Sequence, residues 1–498
     1  MTTMTTRPGT LLLKHLVEGL ALPAGRLPEG PVPDVEIRSA VIDSRLASPG
    51  CLFIALPGER RDGHEFITQA AEKGAVAVIA ERAPDIRCVA LSAADLPGVP
   101  AAWEPGVPVC FIVPDSLAAL QQAAAFWRRQ HDVRVIGITG SVGKTTSKEV
   151  IAAVLGQHYN TLKSEGNYNN EIGLPLVLLH LTARHERVVL EMGMYDLGEI
   201  AQLAHISLPQ VGIVTNVGPT HLERLGTVER IAQAKTELPR ALPPADQGGV
   251  AILNADDPLV LAMAGETQAR VFTYGLDRSA DLWADRIVSE GLEGIRLRLH
   301  HGQESIHARL PMLGRHSVHT ALRAAAAGLV EGLSWGEIVA GLRDQSAQLR
   351  LVAVPGPSGS TILDDTYNSS PASCIAALTL LNELAGGERG GRKIAVLGDM
   401  YELGAYEAEA HKLVGRRTRD VADLLVTVGR LGRTIGDEAV NAGMPAGAVH
   451  AVESNAEATE LLLTLIEPAP AGDVILVKGS RGLAMEEIVS ALQRGRVL

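Results

Sequence analysis

Short apolar runs bounded by turn residues recur along this chain, and the way they are spaced divides it into three regions. To about residue 106, runs such as CLFIAL (51–56) and AVAVIA (75–80) alternate with turn residues and end in the Pro-rich ADLPGVPAAWEPGVPV. That pattern predicts a small α/β domain over 1–106, followed by a linker. From 107 to 345, the β-rich runs VRVIGITG, RVVLEMG, VGIVTNVG and VAILNADD are separated by helix-like stretches. Strand and helix alternating in this way predict a mostly parallel sheet. After the loop GPSGS the pattern restarts with TILDDTYN, KIAVLGDM, DLLVTVG and DVILVKGS, so 346–498 reads as a second, Rossmann-like α/β unit. A hinge is expected near 343–358, where a polar stretch meets Pro355 and Pro357.

Composition narrows the class. At 498 residues the chain exceeds one compact core, and a prior of about 150 residues per domain gives about three domains. A formal charge of −12 argues against nucleic acid or an anionic membrane surface as partner. Cys51, Cys88, Cys110 and Cys374 are scattered without a C-x-x-C pair, which suggests neither a zinc site nor a disulfide framework. No run of about 18 apolar residues appears and MTTMTTRPGT has no apolar core, so a cytoplasmic location without membrane insertion is expected.

The clearest chemistry lies in VIGITGSVGKTTSKEV (135–150). A strand runs into Gly140, Ser141, Val142, Gly143, Lys144, Thr145 and Thr146 and then into a helix, the context a phosphate-binding loop requires. Backbone N–H groups of Gly140 to Lys144 are expected to cradle phosphate, with Lys144 neutralising the transferring group and Thr145 ligating Mg²⁺. Yet the usual pattern is G-x-x-x-x-G-K-[ST], and Gly137 stands one residue too early for it. Glu191, closing an apolar run, is placed where a strand end presents a carboxylate to a ligand. A surface ion pair is the plainer alternative for it.

Three further strings follow the loop in order: GNYNNEIGLPL (166–176), VVLEMGMYDLGEI (188–200) and NVGPTHLERLGTVERIAQAKTEL (216–238). Together they resemble the Mur ligase family of ATP-dependent amide-forming ligases, whose nucleotide loop reads G-T-x-G-K-[TS]. The strings DDTYNSSPAS, VLGDMYELG and LVKGSRG resemble those of the member that adds D-alanyl-D-alanine to UDP-N-acetylmuramoyl-tripeptide. AVIDSRLASPGCLFIALPGERRDGHEF (40–66) resembles its UDP-substrate domain.

The resemblance implies ATP and Mg²⁺ as cofactors, an acyl-phosphate intermediate and a cytoplasmic, monomeric enzyme of peptidoglycan precursor synthesis. It implies that Glu191 and His221 hold magnesium ions, and that Lys235 is catalytic, being carbamylated in several relatives. Asn167, Asn169 and Asn170 would orient the substrate carboxylate and phosphate. In the third region Asp365, Asn368, Lys478 and Arg481 would serve the nucleotide and the incoming dipeptide, with Arg350 at the nucleotide. Ser44, Arg45 and the turn Arg61, Asp62, Gly63, His64 would hold the uridine diphosphate end. The chain departs from the family at Leu349, where a glycine is usual, at Ser370, and at Ser317 and Thr320, where relatives often carry asparagines, one of them at adenine. Three alternatives stand beside this reading. One is the relative that adds the diamino acid at the preceding step, whose selecting loop D-[ND]-P-R is not found here. The others are a folate polyglutamate ligase and a phosphate-loop ATPase acting as a switch.

Overall fold

The computed structural model describes residues 9–21, 34–58, 61–92, 106–220, 222–344, 351–385, 391–466 and 472–495. Among these residues three sheets form, one per region.

The first sheet is wholly parallel. Strands β1 (Ser39–Val41), β2 (Cys51–Ile54), β3 (Ala77–Ala80), β4 (Val89–Ser92) and β5 (Val109–Ile112) lie in the order β1-β2-β3-β5-β4. Its last strand comes from beyond the Pro-rich stretch, so this sheet reaches past residue 106. The next helix, Ser116–Arg129, joins the first region to the second. Asp115 caps it by accepting from the Ala118 N–H, and its buried Trp127 donates to the Leu181 carbonyl at 3.1 Å. Arg128 donates to the carbonyls of Ser207 and Val133 at 2.8 and 2.9 Å. Burial pulls this guanidinium down to about 10, and the carbonyls satisfy its donors. One continuous core therefore runs from Phe111 through Leu120 and Trp127 to Val188 and Leu203.

The second sheet has nine strands: β6 (Arg134–Thr139), β7 (Thr161–Lys163), β8 (Arg187–Glu191), β9 (Val211–Val214), β10 (Val250–Asn254), β11 (Arg270–Gly275), β12 (Leu282–Ser289), β13 (Ile295–His301) and β14 (Glu304–Leu310). Their order is β14-β13-β12-β11-β10-β9-β6-β8-β7. The strands from β7 to β12 pair parallel, while β13 and β14 add an antiparallel meander. The meander departs from the expected strand–helix alternation. Its strands alternate buried and exposed residues, as the Ile295–His301 side chains do, because one face is solvated. By contrast β9 and β10 are buried throughout, as parallel strands covered on both faces are.

The third sheet, β15 (Val352–Pro355), β16 (Thr361–Asp365), β17 (Lys393–Gly398), β18 (Leu424–Val428), β19 (Val449–Val452) and β20 (Val474–Lys478), runs β15-β16-β20-β17-β18-β19. Only β15 is antiparallel, at an edge. The hinge expected at 343–358 overlaps residues 345–350, which lie outside the described residues.

Candidate active site

The phosphate loop follows β6, and its glycines sort by role. Gly137 lies inside the strand, where a Cβ would come within 2.9 Å of Met192 Cε and 3.1 Å of Leu238 Cδ1. It is a packing glycine and has no part in the loop, which explains its early position. Gly140 adopts φ +143°, with Thr215 Oγ1 only 1.8 Å from where a Cβ would stand. Gly143 adopts φ +84° at the start of the helix Lys144–Leu155.

The loop is braced from β9. Ser141 N–H donates to the Asn216 carbonyl, and Val142 N–H to Asn216 Oδ1, each at 2.9 Å. Thr215 Oγ1 and Asn216 Nδ2 both donate to the Val142 carbonyl, at 2.8 and 2.9 Å. This corrects the expectation that all amides from Gly140 to Lys144 face a phosphate, because those of Ser141 and Val142 are engaged within the protein. Gly143, Lys144 and Thr146, at the start of the following helix, line the adjoining cavity. Lys144 Nζ donates to the Gly140 carbonyl at 2.7 Å.

At the end of β8, Glu191 is 2 % exposed, so the surface ion-pair alternative is excluded. Its Oε2 accepts from Thr145 Oγ1 at 2.5 Å and its Oε1 from Asn169 Nδ2 at 2.9 Å. The asparagine turn divides its work. Asn169 reaches Glu191, whereas Asn170 Oδ1 accepts the N–H of Gly173, the first residue of the helix Gly173–Leu178, at 2.9 Å. Asn167 lines the adjoining cavity. Lys235, on the helix Val228–Ala241, is only 1 % exposed, so it is no surface lysine. Burial, reinforced by the charge of Lys144, pushes its ammonium well below the ordinary lysine range.

The third region supplies the opposite wall. Lys478, at the end of β20, donates to Asp365 Oδ2 at 2.7 Å and to the Asn368 carbonyl at 2.8 Å. Arg481 donates to Glu486 Oε1 at 2.8 Å, and its guanidinium carbon lies 5.6 Å from the centre of the Tyr367 ring. Ser370, where the family pattern has asparagine, begins the helix Pro371–Ala385 and exchanges hydrogen bonds with Ser373.

A cavity of about 950 Å³ separates the two walls. Lys144, Asn167 and Glu191 face it from one side, and Asp365, Asn368 and Lys478 from the other. The six candidates of the first region do not line it. Asp62 instead pairs with Arg82 and His64, and these contacts, that of Arg82 first, hold its carboxyl well below the usual range. Arg45 pairs with Asp43, and Ser44 Oγ donates to Gln69 Oε1 at 2.6 Å. His64 Nε2 accepts the Glu81 N–H at 2.8 Å. Arg61 is exposed and Gly63 opens a short 3₁₀ turn. His221 and Arg350 lie outside the described residues.

Sequence reasoning missed part of the lining: Asp256, Asp257, His319 and Arg323. His319 Nε2 lies 2.8 Å from Asp256 Oδ2, and Asp257 Oδ2 accepts the Val217 N–H at 2.8 Å. The acid pair ending VAILNADD was a usable signal, since it closes a parallel strand on the side where such sheets bind ligands.

Three Mur ligase family models match the chain: the catalytic domain over residues 36–128, the middle domain over 138–328 and the glutamate ligase domain over 349–481. The chain is 36% identical over 490 residues to the UDP-N-acetylmuramoyl-tripeptide--D-alanyl-D-alanine ligase of Bacillus subtilis, covering 97% of this chain and 99% of that one. The Escherichia coli ligase of the same name is 35% identical over 463 residues, covering 92% of this chain and 94% of its own. A crystal structure of MurF from Acinetobacter baumannii superposes with a TM-score of 0.81 at 30% identity, covering 98% of this chain and 100% of that one. MurF of Thermotoga maritima, in complex with ADP, gives 0.74 at 26% identity over 93% and 99% of the two chains. The chain belongs to the Mur ligase family, a class of ATP-dependent peptide ligases. Within that class its likeness to the D-alanyl-D-alanine-adding ligases spans nearly the whole chain.

Proposed function

We propose that this enzyme joins the terminal carboxylate of UDP-N-acetylmuramoyl-tripeptide to the amine of D-alanyl-D-alanine, consuming ATP, in cytoplasmic peptidoglycan precursor synthesis. The observation that carries the reading is the cavity in which a phosphate loop faces a second wall bearing Lys478 and Asp365, in a chain similar end to end to ligases of that name. A switch ATPase has no need of the second wall.

A carboxylate is a poor electrophile because its oxygen does not leave, so it must first be activated. The carboxylate oxygen attacks the γ-phosphorus of ATP and ADP departs, giving an acyl phosphate. The dipeptide amine then attacks the acyl carbon, and phosphate leaves carrying that oxygen. Lys144 neutralises the phosphoryl group in transit, and the start of its helix, with its positive dipole end, holds the phosphates. Asn167 and Asn169 orient the carboxylate without adding charge. Lys478, fixed by Asp365, and the Asn368 turn position the nucleotide and amine from the opposite wall, with Arg481 and Arg350 assisting.

The Thr145 hydroxyl and Glu191 carboxylate, 2.5 Å apart, form a pair of hard oxygen donors that suits Mg²⁺, an ion usually held by one or two carboxylates together with substrate phosphates. Bound there, with His221 at a second ion, it would offset charge as two anions meet. Lys235, buried and poorly able to hold a proton, is suited to carbamylation, which needs a neutral amine. The first region, with Ser44, Arg45 and the turn from Arg61 to His64, takes the uridine diphosphate end. One chain supplies both walls, which fits a monomer.

The test is ADP release measured over a panel of UDP-muramoyl peptides and amines. Release that requires Mg²⁺, the tripeptide and D-alanyl-D-alanine together is expected. Release with ATP alone would favour the switch, and preference for a free diamino acid would favour the preceding-step ligase.

A further inference from the structure

Arg323 projects from the helix Ser317–Val330 into the cavity wall and is 4 % exposed. Its Nη2 donates to Thr320 Oγ1 at 3.0 Å, while its Nε has no hydrogen-bond partner among the described residues. A Cβ on Gly143 would lie 3.2 Å from that same Nη2, so the guanidinium sits against the last residue of the phosphate loop. Tyr274, on β11, lies beneath it, with the guanidinium carbon 6.0 Å from the ring centre. A buried cation with an unused donor is costly unless an anion completes it. Its place against Gly143 points to a phosphate as that anion.

We propose that Arg323 is a nucleotide-binding residue whose guanidinium donates to a non-transferred phosphoryl oxygen of the nucleoside polyphosphate seated on the loop. The inference rests on reading the cavity as the ATP site. Sheet order supports the choice of phosphate. Glu191 lies on β8, to one side of β6, whereas Tyr274 lies on β11, three strands away on the other side. Arg323 thus meets the nucleotide away from the Thr145–Glu191 corner and contacts phosphates that remain in ADP. Its partner Thr320 stands at one of the positions where relatives often carry asparagine, so this chain couples that departure to a second cation at the loop.

Calorimetric titration of ADP and ATP, with Mg²⁺, into the full-length wild-type chain and into Arg323→Met and Arg323→Lys provides the test. Arg323→Met is expected to weaken both nucleotides about tenfold or more, with Arg323→Lys intermediate because a point charge replaces a fork of donors. The melting temperature of ligand-free Arg323→Met is expected to equal or exceed that of wild type, because an incompletely paired buried cation has been removed. Wild-type ADP affinity in Arg323→Met would overturn the proposal. So would a collapse of the ligand-free fold in Arg323→Met combined with wild-type ADP affinity in Arg323→Lys, since the guanidinium would then be a structural brace. Failure of the wild-type chain to bind ADP would overturn the ATP reading on which the proposal rests.

Discussion

Lys144 begins its helix with its ammonium folded back onto the Gly140 carbonyl at 2.7 Å, in the loop proposed to hold the phosphates. If Lys144 is the loop cation that neutralises the transferring group, as proposed, Lys144→Ala should lower turnover by about three orders of magnitude or more while the melting temperature stays near wild type. Retention of a tenth of normal ligation would reassign the loop. His15 gives a second residue-scale prediction. Its Nδ1 accepts the Leu12 N–H at 3.0 Å, and its ring packs on Trp127 with centroids 4.7 Å apart. Burial, then the charges of Lys14 and His131, pull it down from 6.5 to about 4. Between those values the unfolded chain binds a proton that the folded chain refuses, so stability falls as pH drops through that window. Discounted for its partial exposure, the drop should be roughly 1–2 °C in the melting temperature of a chain of this size, and His15→Gln should flatten the pH profile. An unchanged slope would remove His15 from the acid response.

At the scale of elements, buried charge ties the phosphate-loop helix to the asparagine turn. Lys148 is fully buried, with Nζ 3.0 Å from Glu149 Oε1 and 3.4 Å from the Gly166 carbonyl, and Lys163 at the end of β7 pairs with the same glutamate. Lys148→Met should therefore cost about 3 kcal/mol of stability and raise the KM for the UDP-substrate more than that for ATP. Equal shifts in both constants would make the pair mere scaffolding. Much at this scale was legible in the sequence. The parallel strands announced themselves as apolar runs ending in Glu191, Asp365 and Lys478, because a strand covered on both faces must be apolar until it meets the ligand edge. The strands β12 to β14 were not legible, since a half-solvated meander carries charges such as Arg296 and Arg298 that dilute the apolar signal. Nor could spacing reveal that Lys235 is buried or that Arg323 lies against Gly143, for both depend on packing between elements distant in sequence. Gly137 misled for a related reason: its role is set by Met192 and Leu238.

Over the whole molecule, chemistry placed between two units requires them to meet, and one backbone contact shows how they do. Gly404, at φ +54° in the third region, lies so close to the helix Leu222–Leu225 that a Cβ would stand 2.8 Å from Glu223 Cα. Such an approach tolerates only glycine. Gly404→Val should hold the third unit off the second, lowering turnover about tenfold or more and enlarging the radius of gyration of the ATP-bound and UDP-substrate-bound enzyme in solution scattering. Wild-type turnover in the variant would show that the contact is incidental. The same closure shields an acyl phosphate from water, as an intermediate prone to hydrolysis requires. Formation of that intermediate between the facing walls is the central step of the proposed function, and isotope transfer reports it directly. UDP-N-acetylmuramoyl-tripeptide labelled with ¹⁸O in its terminal carboxylate, ligated to D-alanyl-D-alanine in the presence of ATP and Mg²⁺, should deliver one labelled oxygen to each phosphate released. Product formed with unlabelled phosphate would contradict activation of the carboxylate by ATP in this cavity.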